Sequence, residues 1–129
     1  MTLDDPEVVR EVEAEFRAYE QALVTNDIVA LDGFFWNDPR AIRYGGAENL
    51  YGHAQIQAFR AARSPAGLER DLARTQITAL GRDCAVTMTL FYRKSAPQRV
   101  GRQMQTWARL PQGWRIVAAH VSLIDDPAV

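Results

Sequence analysis

The fold class is decided by residues 101–124, which read GRQMQTWARLPQGWRIVAAHVSLI. Both halves of this stretch are rich in β-branched and aromatic residues, as strands are, and Pro111-Gln112-Gly113 between them is a turn sequence. Strands that are joined by so short a turn pair in antiparallel fashion. The stretch therefore predicts a long β-hairpin.

Two more strands are predicted before this hairpin. The same pattern occurs in residues 70–80 (RDLARTQITAL) and 84–94 (CAVTMTLFYRK), and the first strand of the hairpin begins near Gln98. Short turns at residues 81–83 and 95–97 separate these segments. Four strands that follow one another through short turns predict an antiparallel meander.

A long helix is predicted near the start of the chain. Asp5-Pro6 is typical of a helix N-cap followed by proline in the first turn. The apolar residues that follow recur at spacings of three and four and form one narrow stripe: Val8, Val12, Phe16, Tyr19 and Leu23. This spacing predicts a helix from about residue 6 to residue 25, with Tyr19 near the middle of its buried face.

Between this helix and the meander, shorter elements are expected. They are a second helix in residues 28–36, a first strand in 39–45 (PRAIRYG) and a third helix in 52–63, which Ser64-Pro65-Ala66-Gly67 stops. Helices first and a meander afterwards indicate an α+β domain, with the helices packed on one face of a curved antiparallel sheet. Such a sheet leaves a pocket at its open end.

Composition indicates one domain spanning residues 1–129, with 47% hydrophobic residues and a formal net charge of −1. No apolar run approaches the ~18 residues of a membrane-spanning helix. The first sixteen residues, MTLDDPEVVREVEAEF, are acidic and amphipathic, unlike a signal peptide. We therefore expect a cytoplasmic protein that is not bound to a membrane. Its single cysteine, Cys84, lies in an apolar run, and we expect it to be buried and inert.

Charge is unevenly distributed along the chain. Residues 1–50 carry four arginines against eleven acidic residues, whereas residues 51–124 carry eleven basic residues against three acidic ones. A basic half can indicate nucleic-acid binding, but these arginines are spread over alternating strands rather than clustered on one helix. A solvated sheet face is the better interpretation, and we expect no nucleic-acid partner.

Arg43 and Tyr19 are the two residues whose positions ask for an explanation. Arg43 lies in the middle of the first predicted strand, between Ile42 and Tyr44, and either face of that strand could be the inner one. It could point into the pocket or remain at a solvated sheet edge. The hydroxyl of Tyr19 is the polar tip of an apolar stripe, and it could serve the pocket or reach the surface from the core.

Other polar residues are weaker candidates. Arg60 and Arg63 end the third helix, where arginines usually extend along apolar surface to water. His120 and Ser122 fall on one face of the last strand with Trp114, Ile116 and Ala118, and a structural role suits them better than a base–nucleophile pair, since no carboxylate is signalled to orient the imidazole. His53 is expected to be an exposed cap. The two histidines show no metal-ligand spacing, and no glycine-rich phosphate loop is present, so we expect no metal or cofactor.

Five segments carry a resemblance to a known family. They are FRAYEQAL (16–23), RYGGAENLYG (43–52), AFRAAR (58–63), GRQMQTW (101–107) and GWRIVAAHVSL (113–123). Together with the order of the elements, they resemble the AtzH-like family of the nuclear-transport-factor-two-like, SnoaL-like superfamily. The resemblance covers nearly the whole chain and implies a cone-shaped fold.

The resemblance also implies a cofactor-free, amidase-type reaction on small carboxylated ureas, such as 1,3-dicarboxyurea, in cyanuric-acid and oxalurate catabolism. The family's essential tyrosine and arginine fall on Tyr19 and Arg43. Arg43 would bind the substrate carboxylate, and Tyr19 would act as acid or base, or donate a hydrogen bond to an oxyanion. The further candidates for substrate binding are Arg60, Arg63, Trp36, His120 and Ser122.

Two other interpretations stay open. The protein could bind a ligand without catalysis and serve a neighbouring amidase, or it could be an isomerase or cyclase of an apolar substrate. The last is disfavoured because the helix stripe offers tyrosine rather than an acidic base. The expected partners are a small anionic substrate, a second copy of the chain in a homodimer, and an amidase.

Overall fold

Three helices and a six-stranded sheet make up residues 1–127, the part of the chain that this computed structural model describes. The helices are α1 (Pro6–Val24), α2 (Ile28–Phe34) and α3 (His53–Ala62). The strands are β1 (Ile42–Tyr44), β2 (Asn49–Tyr51), β3 (Asp71–Leu80), β4 (Cys84–Tyr92), β5 (Arg99–Leu110) and β6 (Gly113–Asp125). The predicted α+β class is confirmed.

Helix α1 forms as its sequence predicts. The Asp5 side chain accepts a hydrogen bond from the Glu7 amide at 3.0 Å, which satisfies a backbone donor in the first turn, and Pro6 lies where no donor is needed. The whole predicted stripe is buried: Val8, Val12, Phe16, Tyr19 and Leu23. The helix ends at Val24, within one residue of the predicted end.

The strands lie in the order β2-β1-β6-β5-β4-β3. The predicted meander is present as β3 to β6, and its three pairs are antiparallel. The expectation of a wholly antiparallel sheet is wrong at one place, because β1 pairs with β6 in parallel. No short turn joins these two strands, so nothing local dictates antiparallel pairing. Strand β2, which pairs with β1, was not predicted.

A β-bulge in β6 changes which residues of the strand face the core: even-numbered before it and odd-numbered after it. Trp107 pairs with Ile116 but Thr106 pairs with Ala118, so Val117 is an extra residue. Before the bulge, even-numbered residues such as Ile116 are buried. After it the phase changes by one residue, so that Ala119 is buried and Ala118 is exposed.

This bulge corrects the sequence-based prediction for two candidate residues. His120 and Ser122 were expected on the same face as Trp114 and Ile116 because strands alternate with period two. The extra residue turns them to the outer face instead, and His120 is exposed.

The inner face of the sheet carries a buried polar row as well as apolar residues. Trp107 donates its indole N–H to Thr87 Oγ1 at 3.0 Å, and the Thr87 hydroxyl donates to Gln105 Oε1 at 3.1 Å. Each of these three side chains is almost fully buried, and each has a partner. Satisfied polar groups of this kind fix one packing arrangement between the strands.

A second buried network ties α1 to the sheet. The Glu20 carboxylate accepts from Arg70 Nε at 3.0 Å and from Gln103 Nε2 at 3.2 Å, and Arg70 also donates to Gln103 Oε1 at 2.9 Å. Since Glu20 adjoins Tyr19, this network helps to fix the position of the tyrosine on its helix.

Candidate functional site

A pocket of about 280 Å³ lies where α3, the β1–β2 loop and the ends of β4 to β6 meet. Its charged lining residues are Arg43, Arg63, Arg93, Arg99 and Glu48. Four guanidinium groups and one carboxylate therefore surround the same space. Apolar walls, among them Phe59 and Phe91, complete it.

Arg43 points inward from the middle of β1. It is 8% exposed, whereas Tyr44 beside it is exposed. Its Nη1 donates to Glu48 Oε1 at 3.0 Å, and its guanidinium stacks on the ring of Phe59 at 5.2 Å. The sequence left open whether Arg43 points into the pocket or stays at a solvated sheet edge, and the structure shows that it points into the pocket.

The loop between β1 and β2 turns Glu48 back onto Arg43. The Gly45 amide donates to the Glu48 carbonyl at 3.0 Å, and the Ala47 amide donates to Glu48 Oε2 at 3.2 Å. A Cβ atom on Gly45 would overlap the Glu48 carboxylate. Glycine at this position is what allows the carboxylate to approach the arginine.

Arg63, which follows α3 directly, has buried donors without partners. Its Nε and Nη2 are buried, and neither makes a hydrogen bond within the described chain. Burial lowers the pKa of Arg63 to about 10, with a further contribution from Arg60 and smaller ones from Arg43 and Arg93, while Tyr19 acts in the opposite direction. The Arg63 guanidinium therefore shares the pocket with other cations, Arg43 and Arg93.

Arg93 follows the end of β4 and was missed by the sequence analysis. Its guanidinium stacks on Phe91 at 5.0 Å, and its Nε is buried with no hydrogen-bond partner among residues 1–127. Burial lowers the pKa of Arg93, as do Arg70 and Arg43. A signal was available in the sequence: β4 turns alternate residues inward as far as Phe91, and the next inward position is Arg93.

Arg99 is held at the rim of the pocket. Its Nη2 donates to the Leu123 carbonyl at 3.0 Å, and its Nε is 3.6 Å from Asp125 Oδ1. Because its side chain is 44% exposed and already has these partners, it contributes less to the charge of the pocket interior than the other three arginines.

Tyr19 lies outside the pocket lining, in an aromatic cluster. It is 3% exposed, and its ring meets Phe34 and Phe35 edge-on with centroids 5.7 and 6.4 Å away. It also acts electrostatically on Arg63, whose pKa it raises slightly against the larger effect of burial. Within the described residues no hydrogen bond joins Tyr19 to Arg43.

The sequence model of the AtzH-like family matches residues 1–127. The chain belongs to the AtzH-like family. A crystal structure of a protein of unknown function from Pectobacterium atrosepticum is 51% identical, with a TM-score of 0.92 and 95% of each chain covered. A cystatin-like fold protein from Burkholderia xenovorans is 48% identical, with a TM-score of 0.94 over 98% of this chain and 99% of the other.

More distant structures show how far the fold extends. A nuclear transport factor 2-like superfamily protein from Salmonella enterica is 25% identical, with a TM-score of 0.73 over 91% of each chain. The AtzH-like protein thus has the cone fold of that superfamily, as the sequence analysis predicted. No curated protein matches the chain.

Arg60 and Trp36 lie outside the pocket lining of the AtzH-like protein, as do Tyr19 and His120. Arg60 is 2% exposed, stacks on Phe35 at 5.3 Å and approaches Asp32 Oδ1 to 3.8 Å with its Nε, a distance that leaves the ion pair without a hydrogen bond. Trp36 is covered by the guanidinium of Arg40 at 4.5 Å. Arg60 still affects the site through its charge, as the lowered pKa of Arg63 indicates.

Three residues of the AtzH-like protein differ in position from what its sequence suggested. Ser122 reaches the pocket rim, but its hydroxyl accepts from Arg102 at 2.9 Å, outside the cavity. His53 is the half-buried first residue of α3, not an exposed cap, and its Nε2 is 2.9 Å from the Asp32 carbonyl oxygen. Cys84 is partly exposed rather than buried, because Ala85 takes the inward position at the start of β4.

Neither a cluster of metal-ligating side chains nor a membrane-spanning helix is found in residues 1–127 of this AtzH-like protein. Across residues 1–127, no three His, Cys, Asp or Glu side chains are grouped closely enough to hold a metal ion. None of the helices in that range has the length and apolar character needed to cross a bilayer. The charged groups that line the pocket are four guanidiniums and one carboxylate.

Proposed function

We propose that this AtzH-like protein is a cofactor-free amidohydrolase in nitrogen catabolism. Its substrate is a small carboxylated urea, such as 1,3-dicarboxyurea, or an oxalurate-like compound, and C–N cleavage can be accompanied by loss of carbon dioxide. The observation that carries this proposal is the group of four arginines around one small pocket.

Arg43 binds a carboxylate of the substrate. Guanidinium groups bind carboxylates with two parallel hydrogen bonds and keep their charge when buried. Glu48 accepts one of the five N–H groups of Arg43, so others are available to a ligand. The volume of about 280 Å³ is close to the lower end of the usual ~300–1,000 Å³ range of ligand pockets, which suits a small substrate.

Tyr19 acts on the proton that C–N cleavage requires. Hydrolysis adds hydroxide to the carbonyl carbon and a proton to the leaving nitrogen, and water supplies both. Loss of carbon dioxide from an N-carboxylate leaves the electron pair of the broken bond on nitrogen, which then takes a proton. In both routes a phenol can give a proton to nitrogen, or donate a hydrogen bond to the oxyanion that forms.

Tyr19→Phe tests this proposal, because it removes one hydroxyl and leaves the ring in its aromatic cluster. We expect kcat with 1,3-dicarboxyurea or oxalurate to fall by about 10²–10⁴-fold, the usual contribution of a positioned acid or base. Substrate affinity, measured by calorimetric titration, should change little. Tyr92→Phe is the matched control, since Tyr92 is exposed and outside the pocket lining. Wild-type turnover by Tyr19→Phe would contradict the assignment.

A ligand-binding protein that serves a neighbouring amidase is the second candidate. It is favoured by the positions of Cys84 and His120, which lie outside the pocket lining and leave that lining without a nucleophile–base pair. Such a protein would bind carboxylates through Arg43, turn none of them over, and be indifferent to Tyr19→Phe. The same titrations and assays therefore separate the two candidates.

A further inference from the structure

The four arginines of the pocket differ in whether a carboxylate accompanies them. Arg43 has Glu48 at 3.0 Å, and Arg99 has Asp125 at 3.6 Å. Within residues 1–127, no carboxylate lies within 4 Å of Arg63 or Arg93. Of the four arginines that line the pocket, these are the two without a carboxylate partner among residues 1–127.

The same two arginines carry the unsatisfied donors of the pocket. Nε and Nη2 of Arg63 and Nε of Arg93 are buried, and none of them meets an acceptor in the described part of the chain. Buried N–H groups of a charged side chain cost stability unless something accepts from them. An anion with several oxygen atoms would satisfy donors from both residues at once.

The surrounding charges make this part of the pocket strongly cationic. Arg43 lowers the pKa of both Arg63 and Arg93, and the main cause in each case is burial. Each guanidinium therefore holds its proton less firmly than an exposed arginine does. A bound anion would raise the pKa of both arginines again, because it favours their charged form.

The ring of Phe91 holds the Arg93 guanidinium in place. Its guanidinium stacks on Phe91 at 5.0 Å, and Arg70, which is fixed by Glu20, stacks on the same ring at 4.3 Å. Gly101 makes room for this ring, because a Cβ at that position would overlap it. The planar donor group of Arg93 is thus oriented before any ligand arrives, which reduces the entropy lost on binding.

The geometry points to Arg63 and Arg93 as the residues that bind a second anionic group of the substrate, distinct from the group bound by Arg43. This inference rests on the proposed function, because it assigns the charged groups of the same substrate. It makes Arg93 a specificity-determining residue: ligands with two anionic groups are selected over ligands of equal size with one.

Calorimetric titration near neutral pH tests the assignment with malonate and malonamate, which share a skeleton but carry two carboxylates and one carboxylate, respectively. Wild type should bind malonate at least about tenfold more tightly, which corresponds to about 1.4 kcal/mol. Arg93→Gln should abolish this preference and leave malonamate affinity within about twofold, since Arg43 remains. Arg63→Gln is an independent variant that should also lose the preference for malonate over malonamate. Arg99→Gln is the control and should retain it.

The possible results separate this inference from the function on which it rests. If Arg93→Gln and Arg63→Gln both keep the preference while Arg43→Gln abolishes malonate binding, the inference is wrong, but the carboxylate-binding role that the proposed function gives to Arg43 is supported. If folded wild type binds neither compound, nor oxalurate, both are wrong. Loss of the preference in the two variants, but not in Arg99→Gln, supports the assignment.

Discussion

The Glu48 carboxylate lies 3.0 Å from the Arg43 guanidinium, so the pocket already supplies an anion to the residue that we propose binds the substrate. Both side chains are largely shielded from water, at 23% and 9% exposure. An incoming carboxylate must therefore share Arg43 with Glu48 or displace it. The loop that carries Glu48 thus competes with the ligand.

We predict that Glu48→Gln increases the affinity for anions. Removing the competing charge makes Arg43 more available, and we expect malonate to bind about three to ten times more tightly, the effect of roughly 1 kcal/mol. Calorimetric titration measures the change. Asp125→Asn is the control: this carboxylate is 99% exposed beside Arg99, and its loss should matter little. Weaker binding by Glu48→Gln would mean that Glu48 holds Arg43 in place instead.

We predict that Gly101→Ala destabilises the protein and weakens anion binding together. The new methyl group would displace Phe91, on which Arg70 and Arg93 stack, and overpacking of this kind costs about 1–3 kcal/mol. Urea unfolding measures the stability, and titration with malonate measures the binding. Gly33→Ala is the control, because nothing lies within 4 Å of its added Cβ and alanine favours a helix. Unchanged stability of Gly101→Ala would contradict the packing described.

We predict that Arg63→Gln raises the thermal midpoint of the ligand-free protein. The pKa of Arg63 is about 10 in the folded state and higher in the unfolded chain, so the unfolded chain binds more protons between these values. The free energy of unfolding therefore rises with pH in that window, and below about pH 10 the buried charge is fully destabilising. Thermal scans should show the largest gain at neutral pH and a smaller one above pH 10.

Malonate should reduce the difference in thermal midpoint between Arg63→Gln and wild type. Because an anion neutralises Arg63 in wild type, added malonate should raise the wild-type midpoint more than that of Arg63→Gln. A variant that is less stable than wild type without ligand would indicate that the stem of Arg63 contributes more through packing than its charge costs.

We predict a homodimer formed through the outer face of the sheet. Met104 is 52% exposed on that face, in the middle of β5, and the helices cover the opposite face. Sedimentation at micromolar concentration should give twice the mass of one chain, and Met104→Lys should shift the protein toward monomer. A single-chain mass for wild type would contradict the prediction.

Much of the fold could be predicted from local patterns. Asp5-Pro6 and the apolar stripe of α1 specify where that helix begins and which face it buries. The meander follows from connections of two to six residues, which restrict neighbouring strands to antiparallel pairing. Local patterns do not determine which distant strand β1 joins, and its parallel pairing with β6 depends on the packing of the whole domain.

The pocket was only partly predictable. The family resemblance suggested that Arg43 points into the pocket, and it does so in the structure. His120 and Ser122 were misplaced because strict alternation does not allow for a bulge, and the residues VAAHVS contain no glycine or proline that would indicate one. Arg93 lies one residue beyond β4 and could have been found by continuing the alternation of that strand. The pairing of Arg43 with Glu48 needs a loop conformation that no spacing rule describes.

The extra residue in β6 also has a consequence for alignments and for genetic engineering. Cavity-facing positions are even-numbered up to Ile116 and odd-numbered from Ala119, so their parity changes at Val117. A relative that lacks Val117 but shares every later residue would still present the same side chains to its inner face, because Ala118 and Ala119 would keep their pairing with Thr106 and Gln105. Deletion of the Val117 codon would therefore leave Val121 and Leu123 on the pocket wall.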